Sequence, residues 1–505
     1  MRRVAFAGVA GAVAAVSLVA CSAPAAEVSE RSLTVAVSGL YYAEPPYTAD
    51  YAGFDLGSQA TYESLIGWST RTDGWVPAMA ESVTESEDRK TLTIRLREGV
   101  KFSDGTVLDA ENAKAVMDSI IFDEEMYNRQ AAIDSGLEIV VIDDLTLEMR
   151  GDVPLMLGVP VSPGLPSPTA YLDPEIQATM VDVPVGSGPY LREEVVPDVS
   201  ATYVRNPDYW NPDAVDFESV TFEIFDDPIA ILNALKSGQI DAGQIPANFV
   251  ADAEDAGLSV YVPPARTSNF LLILDSAGEI IPALGDVRVR QAMAMAFDRA
   301  SIVEKAQNGL GNGSSQVFPE DHPAHVDGED DRYPFDVERA RELMADAGYE
   351  DGFDLVIPKP GPEAPTWYGQ YNPELEPIVQ QSLADIGIRV TFEVEENMSA
   401  KSSTHPVWFW MLGPEAVYIH STAQGADDWR PMLDAEATAS LEAIRSGTRT
   451  EVDQSWAEFG EHSLDEAWFI PVSQVVDAIW ATRADIDFDM TDPDAGVLLR
   501  FHIAD

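Results

Sequence analysis

Residues 186–243 read GSGPYLREEVVPDVSATYVRNPDYWNPDAVDFESVTFEIFDDPIAILNALKSGQIDAG, and this stretch decides the fold. Gly186, Gly188 and Pro189 break whatever precedes them, so a strand is expected to start at Tyr190. Asn206-Pro207-Asp208 and Asn211-Pro212-Asp213 are turn signals on either side of the aromatic pair Tyr209-Trp210. From Phe217 to Phe225 the apolar residues Phe217, Val220, Phe222 and Ile224 lie among polar neighbours, the pattern of a strand with one buried face. Asp227 offers an N-cap oxygen, and Pro228 stands where a first helical residue needs no N–H. Ile229, Leu232 and Leu235 share one helical face, Gly238 supplies a left-handed stop, and Gln239-Ile240-Asp241 reads as a short strand.

Three ordered motifs in this stretch resemble the family 5 extracellular solute-binding proteins, receptors of peptide and nickel ABC importers. They are Gly186-Ser187-Gly188-Pro189-Tyr190, the corner Arg205 to Trp210, and the helix end Ser237 to Asp241. Further matches are Tyr62-Glu63-Ser64-Leu65, Trp75 to Glu81, and Gly99 to Thr106 with its Asp104-Gly105 hairpin turn. Asp286 to Arg299, a helix expected to run to Asn308, and Tyr333 to Tyr349 are also similar to family segments. The resemblance covers nearly all of Leu33 to Ile503.

The chain has 505 residues, too many for one core and enough for two or three domains. Its 86 acidic and 31 basic residues give a formal charge of −55. Nucleic acid and anionic membrane surfaces would be repelled, which makes both poor partners. The acidic residues are spread along the chain, as in a solvated coat, although they would also attract cationic cargo.

Arg2 and Arg3 precede an apolar run from Val4 to Ala20, and Leu18-Val19-Ala20-Cys21 reads as a lipobox. Residues 1–20 are therefore expected to be a signal peptide, and 21–32 a tether lipidated at Cys21 that holds the protein outside the cell membrane or in the periplasm. Cys21 is the sole cysteine, so burial alone must stabilise the mature chain.

The resemblance implies an α/β, two-lobed periplasmic-binding-protein fold of type II, similar to cluster C, with an extra subdomain in the first lobe. Residues 33–61, 181–263 and 469–505 would form lobe I, 62–180 its subdomain, and 264–468 lobe II. The first crossing is placed at Val262 to Arg266, and Trp468 to Val472 resembles the second. Glu374 to Ile386, Ala435 to Arg445 and Glu451 to Ala467 are expected helices. The arginines of the Asp286 helix are read as bracing it.

Catalytic signatures are missing. No Walker loop, nucleophile elbow or HExxH occurs, and Gly309 to Gly313 follows a helix where a dinucleotide loop follows a strand. His322 and His325 with Asp321 and Asp327 have metal-ligand chemistry, but Pro323 interrupts the helical pairing and a surface loop is the better reading. Asp485, Asp487 and Asp489 imitate half a calcium loop, yet Met490 stands where a tight turn needs Gly, so an edge strand is expected. No enzyme, metal or cofactor is expected.

By position, four clusters resemble cavity-lining segments of the family: Tyr41, Tyr42 and Tyr47; Asn269 and Phe270; Trp367, Tyr368 and Tyr371; and Trp408, Trp410, Glu415, Tyr418 and Trp429. Aromatic faces with a few aimed polar groups suit a solute cleft, and equally suit core packing. Peptide-binding members commonly carry an aspartate after the Trp-containing strand to pair with an α-ammonium. This chain has Gly413-Pro414-Glu415-Ala416-Val417-Tyr418 there, with Glu415 as the substitute. The expected function is a monomeric substrate-binding lipoprotein of an ABC importer, closing on a di- or oligopeptide and docking on a permease with its ATPases. Alternatives are an oligosaccharide or another non-peptide solute, a nickel chelate, or a sensory lipoprotein on the same fold.

Overall fold

The computed structural model describes residues 31–38, 56–69, 74–123, 129–155, 164–361, 371–395, 405–412, 434–476, 478–489 and 497–504. Two large sheets organise them. In the first, β1 (Ser32–Val37) runs parallel to both β10 (Ser219–Ile224) and β11 (Ala242–Gln244). Beyond β10 lie β9 (Ser200–Arg205) and β8 (Tyr190–Val196); beyond β11 lie β19 (Trp480–Thr482) and then β12 (Ser259–Tyr261). Alternation in β10 sends Val220 and Phe222 inward, where they pack with Leu33, Val35 and Tyr203. The ribbon β20 (Ile486–Phe488) and β21 (Phe501–Ile503) closes this core with Ile486, Phe488 and Phe501, leaving Asp487 exposed.

The second sheet has the order β14 (Gly311–Asn312), β18 (Phe469–Val475), β13 (Thr267–Ile273), β17 (Val407–Leu412). Beside it, β15 (Phe353–Pro360) pairs in parallel with β16 (Ile388–Glu395). A four-stranded meander, β4 (Ala80–Glu85), β5 (Thr91–Leu96), β7 (Thr146–Arg150) and β6 (Glu138–Asp143), carries its own core under helix α1 (Ala110–Ile121). A short ribbon, β2 (Ile66–Ser69) with β3 (Gly74–Pro77), precedes it.

The remaining helices of eight residues or more, all but Glu376–Ala384, start where carboxylates or hydroxyls cap them. They are α2 (Pro228–Ser237), α3 (Val287–Met295), α4 (Arg299–Ala306), α5 (Val337–Asp346), α6 (Glu376–Ala384), α7 (Ala435–Ser446) and α8 (Arg449–Asp465). Asp227, Asp286, Asp298, Asp336 and Asp434 accept from first-turn amides, and Thr448 with Glu451 forms a capping box on α8. Among the described residues no helix is long and apolar enough to cross a membrane.

Four details depart from the sequence reading. Gln239 to Asp241 is not a strand: the strand is Ala242–Gln244, because the Asp241 carboxylate accepts from Thr34 N at 2.8 Å and pairs with Arg483. On α2 the buried face is Ile231, Leu232 and Leu235, while Ile229 in the first turn is exposed. The segment from Asp286 to Asn308 is two helices, since the Asp298 side chain caps the second by accepting from Ser301 N. Phe469 to Val475 pairs with β13 throughout, so the chain leaves the second sheet only at residues 476–479.

The motifs of the central stretch meet in space. Gly188 N donates to Thr61 O at 2.8 Å, and a Cβ at Gly186 would lie 2.0 Å from that same oxygen, so only glycine permits the approach. Asn206, buried, donates through its side chain to Gly188 O at 2.9 Å. Trp210 Nε1 and Tyr209 OH donate to the two oxygens of Glu63 at 2.7 and 3.2 Å, and the Arg97 guanidinium lies over the Trp210 ring at 4.3 Å.

Burial pushes the Glu63 carboxyl up to about 7, against the opposing pull of its hydrogen bonds from Trp210 and Tyr209 and of the Arg97 charge. The folded state holds this proton more tightly than the unfolded chain. Its contribution to stability is therefore full below the unfolded carboxylate range and is lost as pH rises through about 7. Glu63→Gln removes that titration, so in urea denaturation the wild type should lose roughly 1–3 kcal/mol relative to the variant across this interval. Parallel stability profiles for the two proteins would refute the assignment.

Candidate functional site

The chain passes between the two large sheets twice, from β12 to β13 over residues 262–266 and from β18 to β19 over 476–479. Both passages therefore adjoin the same end of the second sheet, where Thr267 is paired with Val475 and Ser268 with Gln474. The last residues of β17 reach this end as well, Met411 opposite Asn269 and Leu412 opposite Ser268.

Composition changes along these strands. Away from the passages they are apolar, with Phe270, Leu271, Leu272, Ile273, Ile470 and Val472 buried. At the passage end they carry Ser268, Asn269, Ser473 and Gln474, all of which are also buried. Ser268 Oγ donates to Val317 O at 2.9 Å, and Gln474 Nε2 to Gln316 O at 3.0 Å. Ser473 Oγ accepts from Gln307 Nε2 at 2.6 Å and from Asn269 Nδ2 at 3.4 Å. The amide oxygens Asn269 Oδ1 and Gln307 Oε1 are buried and accept no hydrogen bond from the described residues. An arrangement of this kind offers acceptors to a hydrogen-bond donor.

The structure divides the described candidates between the two faces of this sheet. Phe270 and Trp408 are enclosed in the core under α8, and Trp410, half-buried, packs its ring on Trp408 with centroids 4.8 Å apart. On the other face Tyr371 packs edge-on against Phe409 at 5.8 Å and donates its hydroxyl to Glu376 Oε1 at 2.7 Å. Lys359 Nζ lies 3.0 Å from the same carboxylate. Burial first, and then Glu376, hold the Tyr371 phenol above its usual range. Tyr41, Tyr42, Tyr47, Trp367, Tyr368, Glu415, Tyr418 and Trp429 lie outside the described residues, as does Cys21.

Gln307 and Ser473 escaped the sequence reading. Ser473-Gln474 is a polar pair inside the strand FIPVSQV, which alternation alone does not demand, and that was the available signal. No comparable signal marks Gln307, at the end of α4.

The arginines of α3 and α4 serve the backbone. Arg299 donates to the carbonyls of Pro471, Tyr333 and Ala294, and Arg290 to those of Glu466 and Leu284. The histidine pair is likewise engaged with its surroundings. His322 stacks on Phe318 at 4.8 Å, accepts from Ala324 N at 3.1 Å, and is held near 3 chiefly by burial. Asp321 pairs with Arg266. Among the described residues no group of three or more His, Cys, Asp or Glu side chains could hold a metal ion.

Comparison with known proteins supplies relatives for this architecture. Residues 74–419, more than half of the chain, match the family described as bacterial extracellular solute-binding proteins, family 5 Middle. Protein XP55 of Streptomyces lividans is 28% identical over 359 residues, which span 68% of this chain and 63% of that protein. The glutathione-binding protein GsiB of Salmonella paratyphi A is 26% identical over 388 residues, 74% of this chain and 72% of that one. Among solved structures, a dipeptide binding protein from Pseudoalteromonas sp. SM9913 in complex with Met-Leu superposes with a TM-score of 0.70 at 18% identity, covering 94% of this chain and 100% of that chain.

Ser473→Ala would strip the shared acceptor from two buried amide groups. A loss of about 1–3 kcal/mol in chemical denaturation is expected. A negligible loss would mean that water reaches Asn269 and Gln307.

Proposed function

The chain belongs to the family 5 bacterial extracellular solute-binding proteins, and from that premise we propose that it is a lipid-anchored receptor that captures a di- or oligopeptide between two lobes. It then presents the closed complex to an ABC permease whose ATPases drive uptake. Cys21 is the anchor. The first lobe is built on the seven-stranded sheet with the meander as its subdomain, and the second on the four-stranded sheet.

One observation carries the reading: two backbone passages join two separately cored sheets at an end furnished with buried polar side chains. Rotation about two such passages opens and closes a cleft, and a solute that binds both lobes shifts that equilibrium. The buried amide oxygens of Asn269 and Gln307 suit a cargo with N–H donors, as a peptide has. GsiB is named for glutathione, and the Pseudoalteromonas protein holds Met-Leu; a small peptide follows as the first cargo to try. Glu415 is the amine partner, and Tyr41, Tyr42, Tyr47, Trp367, Tyr368, Trp410, Tyr418 and Trp429 are the stacking faces, while Tyr371, on the opposite face of the sheet from Trp410, packs on Phe409. Phe270 and Trp408 support Trp410 from beneath.

The absence of an aspartate between Gly413 and Tyr418 favours a second reading, an oligosaccharide or another solute without a free amine. Thermal unfolding of the purified protein against peptides, oligosaccharides and nickel chelates separates the two. The cargo should raise stability by about 3 kcal/mol at 100 times its dissociation constant. A peptide shift abolished in Glu415→Gln assigns the amine to Glu415, whereas a shift with sugars alone excludes peptides. Cys21→Ser should move the protein from the membrane fraction to the soluble fraction of expressing cells; continued membrane retention would remove the lipid anchor.

A further inference from the structure

The turn between β4 and β5 belongs to the meander, yet it is bonded to the corner between α7 and α8 on the second lobe. Arg89 is fully buried, and its Nη1 donates to Ile444 O at 2.7 Å. That carbonyl is in the last turn of α7, where the helix dipole favours a cation. Arg449, the first residue of α8, places Nη2 2.9 Å from Glu85 Oε2, and its backbone N donates to Glu87 O at 3.3 Å. Glu85 lies in turn 4.0 Å from Arg89 Nε.

The turn is built to aim this side chain. Ser86 Oγ donates to Asp88 Oδ1 at 2.6 Å and accepts from Thr91 N at 3.0 Å, while Arg89 N donates to Ser86 O at 2.8 Å. Arg89 itself has φ 59°, a left-handed conformation that glycine or asparagine adopts more readily. An arginine accepts that strain where its side chain is used. A guanidinium buried against a helix end on another lobe is such a use.

We propose that this turn is a latch: a third attachment between the lobes, made by side chains and releasable, that biases them toward the arrangement seen here independently of any cargo. Two backbone passages leave a rotation free, and a contact elsewhere between the same two bodies opposes it. Releasing the latch exposes the Arg89 pocket and separates Glu85 from Arg449, so lobe opening and latch opening are one event. Affinity for the cargo then depends on residues that never touch it, because only the competent fraction binds. The inference rests on the two-lobed architecture and not on the choice of cargo.

The test uses Glu87→Cys with Arg449→Cys, whose backbones already touch; the chain's sole native cysteine, Cys21, is replaced by Ser. Small-angle scattering is recorded without cargo on the oxidised and reduced forms. The proposal expects the disulfide to form and the radius of gyration to rise on reduction, since the reduced form lacks the Arg449 ion pair. Failure of the disulfide to form, or equal radii in both states, overturns it. The otherwise unaltered protein gives a second reading by hydrogen exchange. Segments 85–91 and 444–450 should exchange together, at least about tenfold faster than the apolar cores on either side. Exchange of both only with global unfolding would make the contact a fixed part of the fold and sink the latch.

Discussion

The carboxylate of Glu63 is the point on which the seven-stranded sheet and the meander depend together. Trp210 and Tyr209 reach it from the corner after β9, and Trp210 packs against both the meander core and the core of the first sheet. One acid thus holds Trp210, which packs against both hydrophobic clusters. Burying it carries a desolvation cost that the two donors and Arg97 only partly offset, which is why its proton is held so far above the usual range. Close passage of residues 186–188 beside Thr61 brings the partners into register, and a side chain at either glycine would push them apart. The motifs of the central stretch form a single joint.

Much of this was legible in sequence because local chemistry and tertiary role agree there. Asp227-Pro228 and Gly238 bound a helix on propensity alone, and the structure ends α2 with Gly238 at φ 71°. The errors lie where tertiary partners override a local pattern. Asp241 reads as a strand residue until its carboxylate is seen tied to Thr34 and Arg483. The return passage is placed at Trp468 to Val472 by resemblance, but a bulge at Asn269/Phe270 lets β18 keep pairing with β13 through Pro471. No single-sequence pattern announces that accommodation.

Of the proposed solute site less could be read. Asn269 was singled out for its neighbourhood, but its partner Ser473 is 204 positions away in the chain, and Gln307, which donates to the same hydroxyl, is 166 positions from Ser473, so only folding makes them a group. The aromatic residues illustrate the opposite difficulty. A ring that stacks on a solute and a ring that fills a core have the same composition and similar spacing; Phe270 and Trp408 are distinguished from Trp410 by exposure alone. Charge is equally silent on cargo, since the excess of 55 negative charges is distributed over the chain.

The order of strands in the first sheet also governs when the protein can be finished. β11 and β12 are near neighbours in the chain, yet β19 lies between them and pairs with both, so the slot stays open until residues 480–482 exist. The ribbon that completes the same core is later still, ending at Ile503. A chain emerging from its amino end can complete the meander early but must carry an unfilled sheet, with exposed strand edges, through the making of the whole second sheet. The seven-stranded sheet is thus the first begun and the last closed. Loss of β21 would strip Phe501 from the core that the ribbon shares with the seven-stranded sheet, while the second sheet would keep its own core.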